Sequence, residues 1–414
     1  MISLADIQSA RARISRFTRV TPCIESPLLS ERCGAHVLLK CETLQVTGSF
    51  KPRGAVNRLL TLDPEATEAG VVAASAGNHA QGLAYAAGAL GVAAHIVMPV
   101  QTPIIKIKRT RGFGAEVDLF GDSFDDAYRR AIELRDRDNL TFVSPFDDEQ
   151  IIAGQGSIGL ELHQQCGELD AVIVPIGGGG MIAGIACALK ALRPSLQIIG
   201  VQTEAAPAMF ESFKSGQLCH RTSGASIADG IAVKTPGEIP FEIIRKYVDN
   251  VVLVTEVEIE KAIFELLESG KLVTEGAGAA AFAAMLHGRI PGLDGKRVAV
   301  VLSGANIDLN LLNRIVERSL VLDRRLVRLE LLIRDRPGGL AELLAIVAQQ
   351  EANVLKVRHN RVFADIHSWQ TEVELTLETR DEAHIEGLLE KLAELGFSQA
   401  RRLSIQLLAG PASD

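Results

Sequence analysis

Ala171-Val172-Ile173-Val174-Pro175-Ile176-Gly177-Gly178-Gly179-Gly180-Met181 decides the fold. Six apolar residues without polar alternation read as a strand buried on both faces. Four glycines then close it, and the run from Met181 to Leu192 has the composition of a helix. The same grammar occurs twice more. Val71-Val72-Ala73-Ala74 runs into Ser75-Ala76-Gly77-Asn78-His79 and an Ala-rich helix, and residues 298–302 end at Ser303-Gly304-Ala305-Asn306. Apolar strands separated by helices define an α/β protein with parallel sheets covered on both faces. Ligands of such sheets bind beyond the carboxyl ends of strands, where all three polar or glycine-rich clusters fall.

Lys51 lies outside these units, in Thr47-Gly48-Ser49-Phe50-Lys51-Pro52-Arg53-Gly54. The plain reading is a solvated lysine at a turn. The alternative is an amine whose charged form is disfavoured by burial and by the neighbouring Arg53, and which therefore acts as a nucleophile. The tetraglycine favours the second. Backbone N–H groups without side chains can close around a phosphate at a helix N-terminus. An amine for an aldehyde and a cradle for a phosphate together suggest pyridoxal 5′-phosphate. A rival reading remains. Gly178-x-Gly180-x-x-Ala183 meets a loose dinucleotide fingerprint, with Glu204 after the next strand, so a nicotinamide-dependent oxidoreductase stays open. It leaves Lys51 and Ser303 without a role.

Ser49-Phe50-Lys51-Pro52-Arg53-Gly54, the Ser75-to-His79 run, the tetraglycine and Ser303-Gly304 together resemble the serine/threonine dehydratases of the tryptophan-synthase-β-like (fold type II) pyridoxal-phosphate enzymes. The resemblance covers about residues 5–320. It implies a two-lobed catalytic domain over residues 1–322, its smaller lobe (about 40–150) inserted in the larger. It implies that Lys51 holds the cofactor's aldehyde carbon and later takes the Cα proton, with Phe50 beside the cofactor ring. It assigns Asn78 to the cofactor's 3′ oxygen, and the backbone of Ser75, Ala76, Gly77, Asn78 and His79 to the substrate carboxylate. Gly177, Gly178, Gly179, Gly180 and Met181 would bind the phosphate, and Ser303 would face the pyridine nitrogen. The implied reaction is dehydration and deamination of threonine to 2-oxobutanoate and ammonia, or of serine to pyruvate.

Serine racemases of this fold carry a serine where Ala76 stands, so racemisation should be minor. Their divalent-cation site resembles Glu204 and the Ala208 carbonyl, but Phe210 replaces its second acid, and no metal is expected. A 3-hydroxyaspartate ammonia-lyase and an inactive amino-acid-binding regulator are further alternatives. Glu275-Gly276-Ala277-Gly278 replaces a Glu-Pro-x-Gly segment that lines the active site, and Ser226-Ile227-Ala228-Asp229-Gly230 resembles a segment near the substrate side chain. His79 reads as an organiser of its loop, and His95 and His163 as structural or surface groups.

After about Asp323 the pattern changes. Val327, Leu329, Leu331 and Ile333 alternate with Arg328, Glu330 and Arg334, which indicates a half-exposed strand. A helix to about Gln350, strands near 354–361 and 369–378, a helix over 381–395 and a strand near 403–408 complete the ferredoxin-like β-α-β-β-α-β order. This α+β domain, residues 327–414, resembles the amino-acid-sensing ACT domain. Its binding turn would be Asp335, Arg336, Pro337, Gly338, Gly339 and Leu340, with isoleucine or valine as effector.

The 414 residues leave room for these domains. A net charge of −8 argues against nucleic acid, and 47% apolar with 23% charged residues is ordinary globular composition. Six scattered cysteines without a C-x-x-C pair argue against zinc and disulfides, and fit a reducing, cytoplasmic compartment. Neither a signal peptide nor a membrane span is expected: residues 80–100 read as a helix, a turn at Gly91 and a strand. The resemblance implies a homotetramer or homodimer.

Overall fold

The computed structural model describes residues 2–361, 367–397 and 400–403. The chain forms two compact units, Met1–Asp308 and Leu309–Asp414.

The first unit holds two sheets. The larger has six strands in the order Cys23–Glu25, His36–Cys41, Arg297–Leu302, Ala171–Pro175, Gln197–Thr203, Asn250–Val254. All neighbours are parallel except the first, an antiparallel edge strand. The smaller has four parallel strands, Glu116–Leu119, Ala94–Met98, Val71–Ala74 and Thr141–Phe142. It is built from chain lying between the second and third strands, in sequence, of the larger sheet. The central strands Val71–Ala74, Ala171–Pro175 and Arg297–Leu302 are buried almost throughout, which is why their sequences do not alternate.

Helices Glu149–Gln165 and Gly180–Leu192 pack closely on one another. Glycine at both contact points permits this. A Cβ on Gly184 would stand 2.3 Å from the Ile152 carbonyl oxygen and 2.6 Å from the Gly156 amide nitrogen. Asp148 caps the first of these helices, accepting from the amides of Gln150 (2.8 Å) and Ile151 (3.0 Å). The close crossing brings the tetraglycine, which opens the second helix, against the segment at Phe146 that leads into the first.

The second unit begins with helix Leu309–Leu322, which lies ahead of the boundary expected from the sequence. Its sheet runs Asn353–Asn360, Gln370–Glu378, Leu326–Arg334, Arg401–Leu403, antiparallel throughout. With helices Gly339–Gln349 and Glu382–Glu394 this is the expected β-α-β-β-α-β order. Val327, Leu329, Leu331 and Ile333 form one core with Leu343, Val347, Val373, Leu375, Ile385 and Leu388. The last strand was expected near 403–408; residues 404–408 lie outside the described residues. Among the described residues no helix is long and apolar enough to cross a membrane.

Candidate active site

A cavity of about 780 Å³ opens in the first unit, and every catalytic, cofactor and substrate residue expected from the sequence lines it: Phe50, Lys51, Ser75 to His79, Gly177 to Met181, and Ser303. The three strand ends therefore converge. Residues 335–340, expected from the sequence to bind an effector, belong to the second unit.

Lys51 precedes helix Pro52–Leu59, whose proline sits at the first helical position, where no N–H is needed. Its Nζ donates to the Pro145 carbonyl at 2.8 Å and lies 5.1 Å from the centre of the Phe50 ring. Burial lowers its pKa to about 8, against a smaller opposing pull from Glu275. The expected help from Arg53 is not found. Arg53 turns into a buried ion cluster, giving Nε to Glu42 at 2.7 Å and Nη1 to Glu161 at 2.7 Å. Lys40 completes the cluster by donating to Glu161 at 2.6 Å. Two carboxylates neutralise the guanidinium, so desolvation alone disfavours the charged amine.

Gly179 takes φ +97, and helix Gly180–Leu192 starts immediately after it. The first amides of a helix have no internal acceptor and point out of its N-terminus. A Cβ on Gly178 would collide with the Phe146 ring at 2.3 Å, and one on Gly177 would crowd the Gly230 carbonyl oxygen at 3.1 Å. The cradle needs bare backbone, as a phosphate seat does.

Asn78 begins helix Asn78–Leu90. Its Nδ2 donates to Glu275 Oε1 at 2.6 Å, and its Oδ1 accepts from Asn306 at 2.8 Å. His79 contacts the Val143 carbonyl at 2.9 Å through Nε2. Burial, then the Lys51 charge, lower its pKa to about 3, so it is neutral in the working range and organises the loop. Ser303 is buried, and its hydroxyl lies 3.3 Å from the Ala277 carbonyl.

Glu275 is the group that sequence reasoning under-weighted. It is buried in the cavity wall, and burial followed by Asp229 raises its pKa to about 7. Gly276, where the family segment has proline, lets the chain close in: a Cβ there would stand 2.3 Å from the Ile227 carbonyl oxygen. The segment thus packs against residues 227–228, and Asp229 and Gly230 also reach the cavity.

The residues fit pyridoxal phosphate. An amine brought near neutrality, a cradle that any Cβ would fill, and the unpartnered buried Gln155 Oε1 in the same wall match its aldehyde, phosphate and polar ring. The position that resembles the racemases' cation site offers few ligands for a metal. The Ala208 carbonyl already accepts the Ser212 hydroxyl at 2.6 Å, and Phe210 offers only a ring, over which Lys214 sits at 4.1 Å. Among the described residues no cluster of histidine, cysteine and acidic side chains is arranged to hold a metal.

The model of the family of pyridoxal-phosphate-dependent enzymes matches residues 14–304, and the chain belongs to that family. Its relatives narrow the comparison. The chain is 46% identical over 397 residues to an L-threonine ammonia-lyase of Thermotoga maritima, covering 96% of this chain and 98% of that one. Its structure resembles the processed form of threonine deaminase isoform 2 from Solanum lycopersicum, with a TM-score of 0.74, 37% identity, and 77% and 87% of the two chains covered. It also resembles maize serine racemase, with a TM-score of 0.73, 31% identity, and coverage of 78% and 99%.

Proposed function

We propose that the protein is a threonine ammonia-lyase, converting L-threonine to 2-oxobutanoate and ammonia, and L-serine to pyruvate. The observation that carries this is the single cavity in which Lys51, the glycine cradle, the Asn78 loop and Ser303 meet. The near full-length similarity to an L-threonine ammonia-lyase supports the substrate.

Bound pyridoxal phosphate supplies an electron sink that acidifies the substrate's Cα–H and weakens the bond to its β-hydroxyl. The chain supplies the rest. Residues 177–181 hold the phosphate against the positive end of a helix. Lys51 anchors the cofactor and, once free, takes the Cα proton, for which an amine with a pKa of about 8 is suited. The Ser75-to-His79 backbone would orient the substrate carboxylate, and Asn78, oriented by Glu275 and Asn306, would have its second N–H free for the cofactor's 3′ oxygen. Ser303 would face the ring nitrogen with a hydroxyl, which could not keep that nitrogen protonated as a carboxylate would. That would make the cofactor a weaker sink and favour rapid loss of the β-substituent.

The likeness to serine racemase keeps racemisation as a second reading. Ala76 opposes it, because a methyl group cannot deliver a proton to Cα. Ammonia release and chiral analysis with threonine, serine and 3-hydroxyaspartate test both readings. Ammonia and 2-oxo acid without D-serine are expected, and D-serine as the main product would overturn the assignment. Lys51→Ala should abolish turnover, and full activity in that variant would refute its role.

The second unit is read as an ACT domain that senses isoleucine or valine at residues 335–340. Gly338, with φ +87, opens the helix of that turn. Arg361 pairs with Asp335 at 3.0 Å and holds its carboxyl below the usual range. An effector acts only by binding two states unequally. Titrating each amino acid into full-length enzyme, with and without Asp335→Ala, tests this; identical inhibition in both would refute it. A cytoplasmic homotetramer or homodimer completes the reading, and light scattering tests the assembly.

A further inference from the structure

Cys23 and Cys166 are 143 residues apart in sequence, yet their sulfurs lie 2.7 Å apart. That is well inside non-bonded contact and approaches the ~2.05 Å of a disulfide. Cys23 begins the antiparallel edge strand Cys23–Glu25 and is half-buried. Cys166 is the C-terminal cap of helix Glu149–Gln165 and is buried. The same two segments are already joined by polar bonds: Gln165 Nε2 donates to the Thr21 carbonyl at 3.0 Å, and Lys40 Nζ donates to both Thr21 O and Gln165 Oε1.

We propose that Cys23 and Cys166 are an oxidation site that takes up a peroxide-class oxidant and closes into a reversible disulfide. Their 2.7 Å contact defines the pair, and the surroundings mark Cys166 as its reactive member, since the bond to Cys166, then burial, raise the Cys23 thiol. The Cys23 thiol, then the charges of Lys40 and Arg297, draw the Cys166 pKa down against its burial. Burial instead pushes Cys33 up to about 11 and Cys41 to about 12. The thiolate is the reactive form. Cys166 thiolate attacks a hydrogen peroxide oxygen, the O–O bond breaks, and sulfenic acid and hydroxide form, the hydroxide taking up a proton as water. The Cys23 sulfur then attacks the Cys166 sulfur, the S–O bond breaks, and the departing hydroxide leaves as water with the Cys23 proton. Two thiols are oxidised, one peroxide is reduced to two waters, and added dithiol reverses the bond. The cross-link fastens the edge strand to the helix that carries Glu161, and so stiffens the ion cluster behind Arg53.

The test treats the purified full-length protein with stoichiometric hydrogen peroxide, counts free thiols and maps peptides by mass spectrometry. Free thiols should fall from six to four, with one Cys23–Cys166 cross-linked peptide that dithiothreitol removes. The thermal midpoint should rise on oxidation and return on reduction. In Cys23→Ser, Cys166 should persist as a sulfenic acid, read as one added oxygen on its peptide, and Cys166→Ser should give neither product. Mapping on unmutated protein keeps the test valid if either variant misfolds. Six thiols surviving, or the cross-link mapping to another pair, would overturn the proposal.

Discussion

Replacing Arg53 with methionine separates stability from reactivity at Lys51. The guanidinium makes five side-chain hydrogen bonds of 2.7–3.1 Å: two to Glu42, two to Glu161 and one to Ser157. Arg53, Glu42 and Glu161 are almost wholly buried. Methionine fills much of the volume but leaves two buried carboxylates with Lys40 as their cation and the Thr21 hydroxyl and amide as donors. Breaking a buried pair by removing one partner costs about 3–5 kcal/mol. At roughly 2–4 °C per kcal/mol for domains of 150–250 residues, and less for larger ones, the midpoint should fall by about 5–15 °C. Differential scanning calorimetry of the apo chain reads this loss. The deficit also depends on pH. The Arg53 guanidinium lowers the Glu42 pKa in the fold, so the stabilisation is present above the unfolded value and is lost as pH falls through the folded one. Parent and variant midpoints should therefore converge in acid. Meanwhile the pH dependence of cofactor capture, which titrates the Lys51 amine near pH 8, should not move. An upward shift of that midpoint in the variant would mean that Arg53 does depress Lys51, and a stability loss below about 1 kcal/mol, the scale of an exposed pair, would contradict the buried cluster.

Glu275→Gln should stabilise the apo chain relative to the parent as pH rises from 4.5 to 7, because the parent's raised carboxyl binds its proton more tightly folded than unfolded and loses stability across that window; midpoints that stay parallel from pH 4 to 8 would refute it. Gly178→Ala places a methyl 2.3 Å from the Phe146 ring. At about 1–3 kcal/mol for overpacking, affinity of the apo chain for pyridoxal phosphate should fall roughly tenfold to a hundredfold, read by absorbance titration. EDTA should leave threonine turnover unchanged, and added magnesium should not raise it, since Phe210 and the Ser212 bond to Ala208 leave no cation site there.

The parallel-sheet core was legible because burial on both faces writes itself as uninterrupted apolar runs, as at 71–74 and 171–176. The candidate site was legible because glycine is demanded where backbone meets backbone or ligand, and because three of the four motifs fall at strand ends. What stayed hidden depends on long-range pairing. Arg53 reads as a neighbour acting on Lys51 because only Pro52 separates them in sequence; Glu161, 108 residues away, helps decide its direction. Cys23 and Cys166 share no local pattern, and only the docking of an edge strand beside a helix end makes them neighbours. Glu275 was visible as part of a segment, but its raised pKa follows from burial and from Asp229, which no linear spacing records.

The distribution of titratable groups around the cavity bears on what a carbanion formed there can do. Lys51 and Glu275 have values near neutrality, at about 8 and 7, while His79 is held at about 3 and bonded to the Val143 carbonyl. Of these two, Glu275 is occupied by the Asn78 amide at 2.6 Å, which makes Lys51 the better suited to exchange a proton at Cα. Racemisation needs a second donor, and the position that supplies one in serine racemases is here Ala76. Without a donor at that position, return with inverted configuration is disfavoured relative to loss of the β-substituent, and a hydroxyl at Ser303, were it to face the cofactor's ring nitrogen, would favour that loss further. On the proposed reading, the preference for ammonia-lyase chemistry would rest on three side chains, Ala76, His79 and Ser303, that withhold charge or protons from the site.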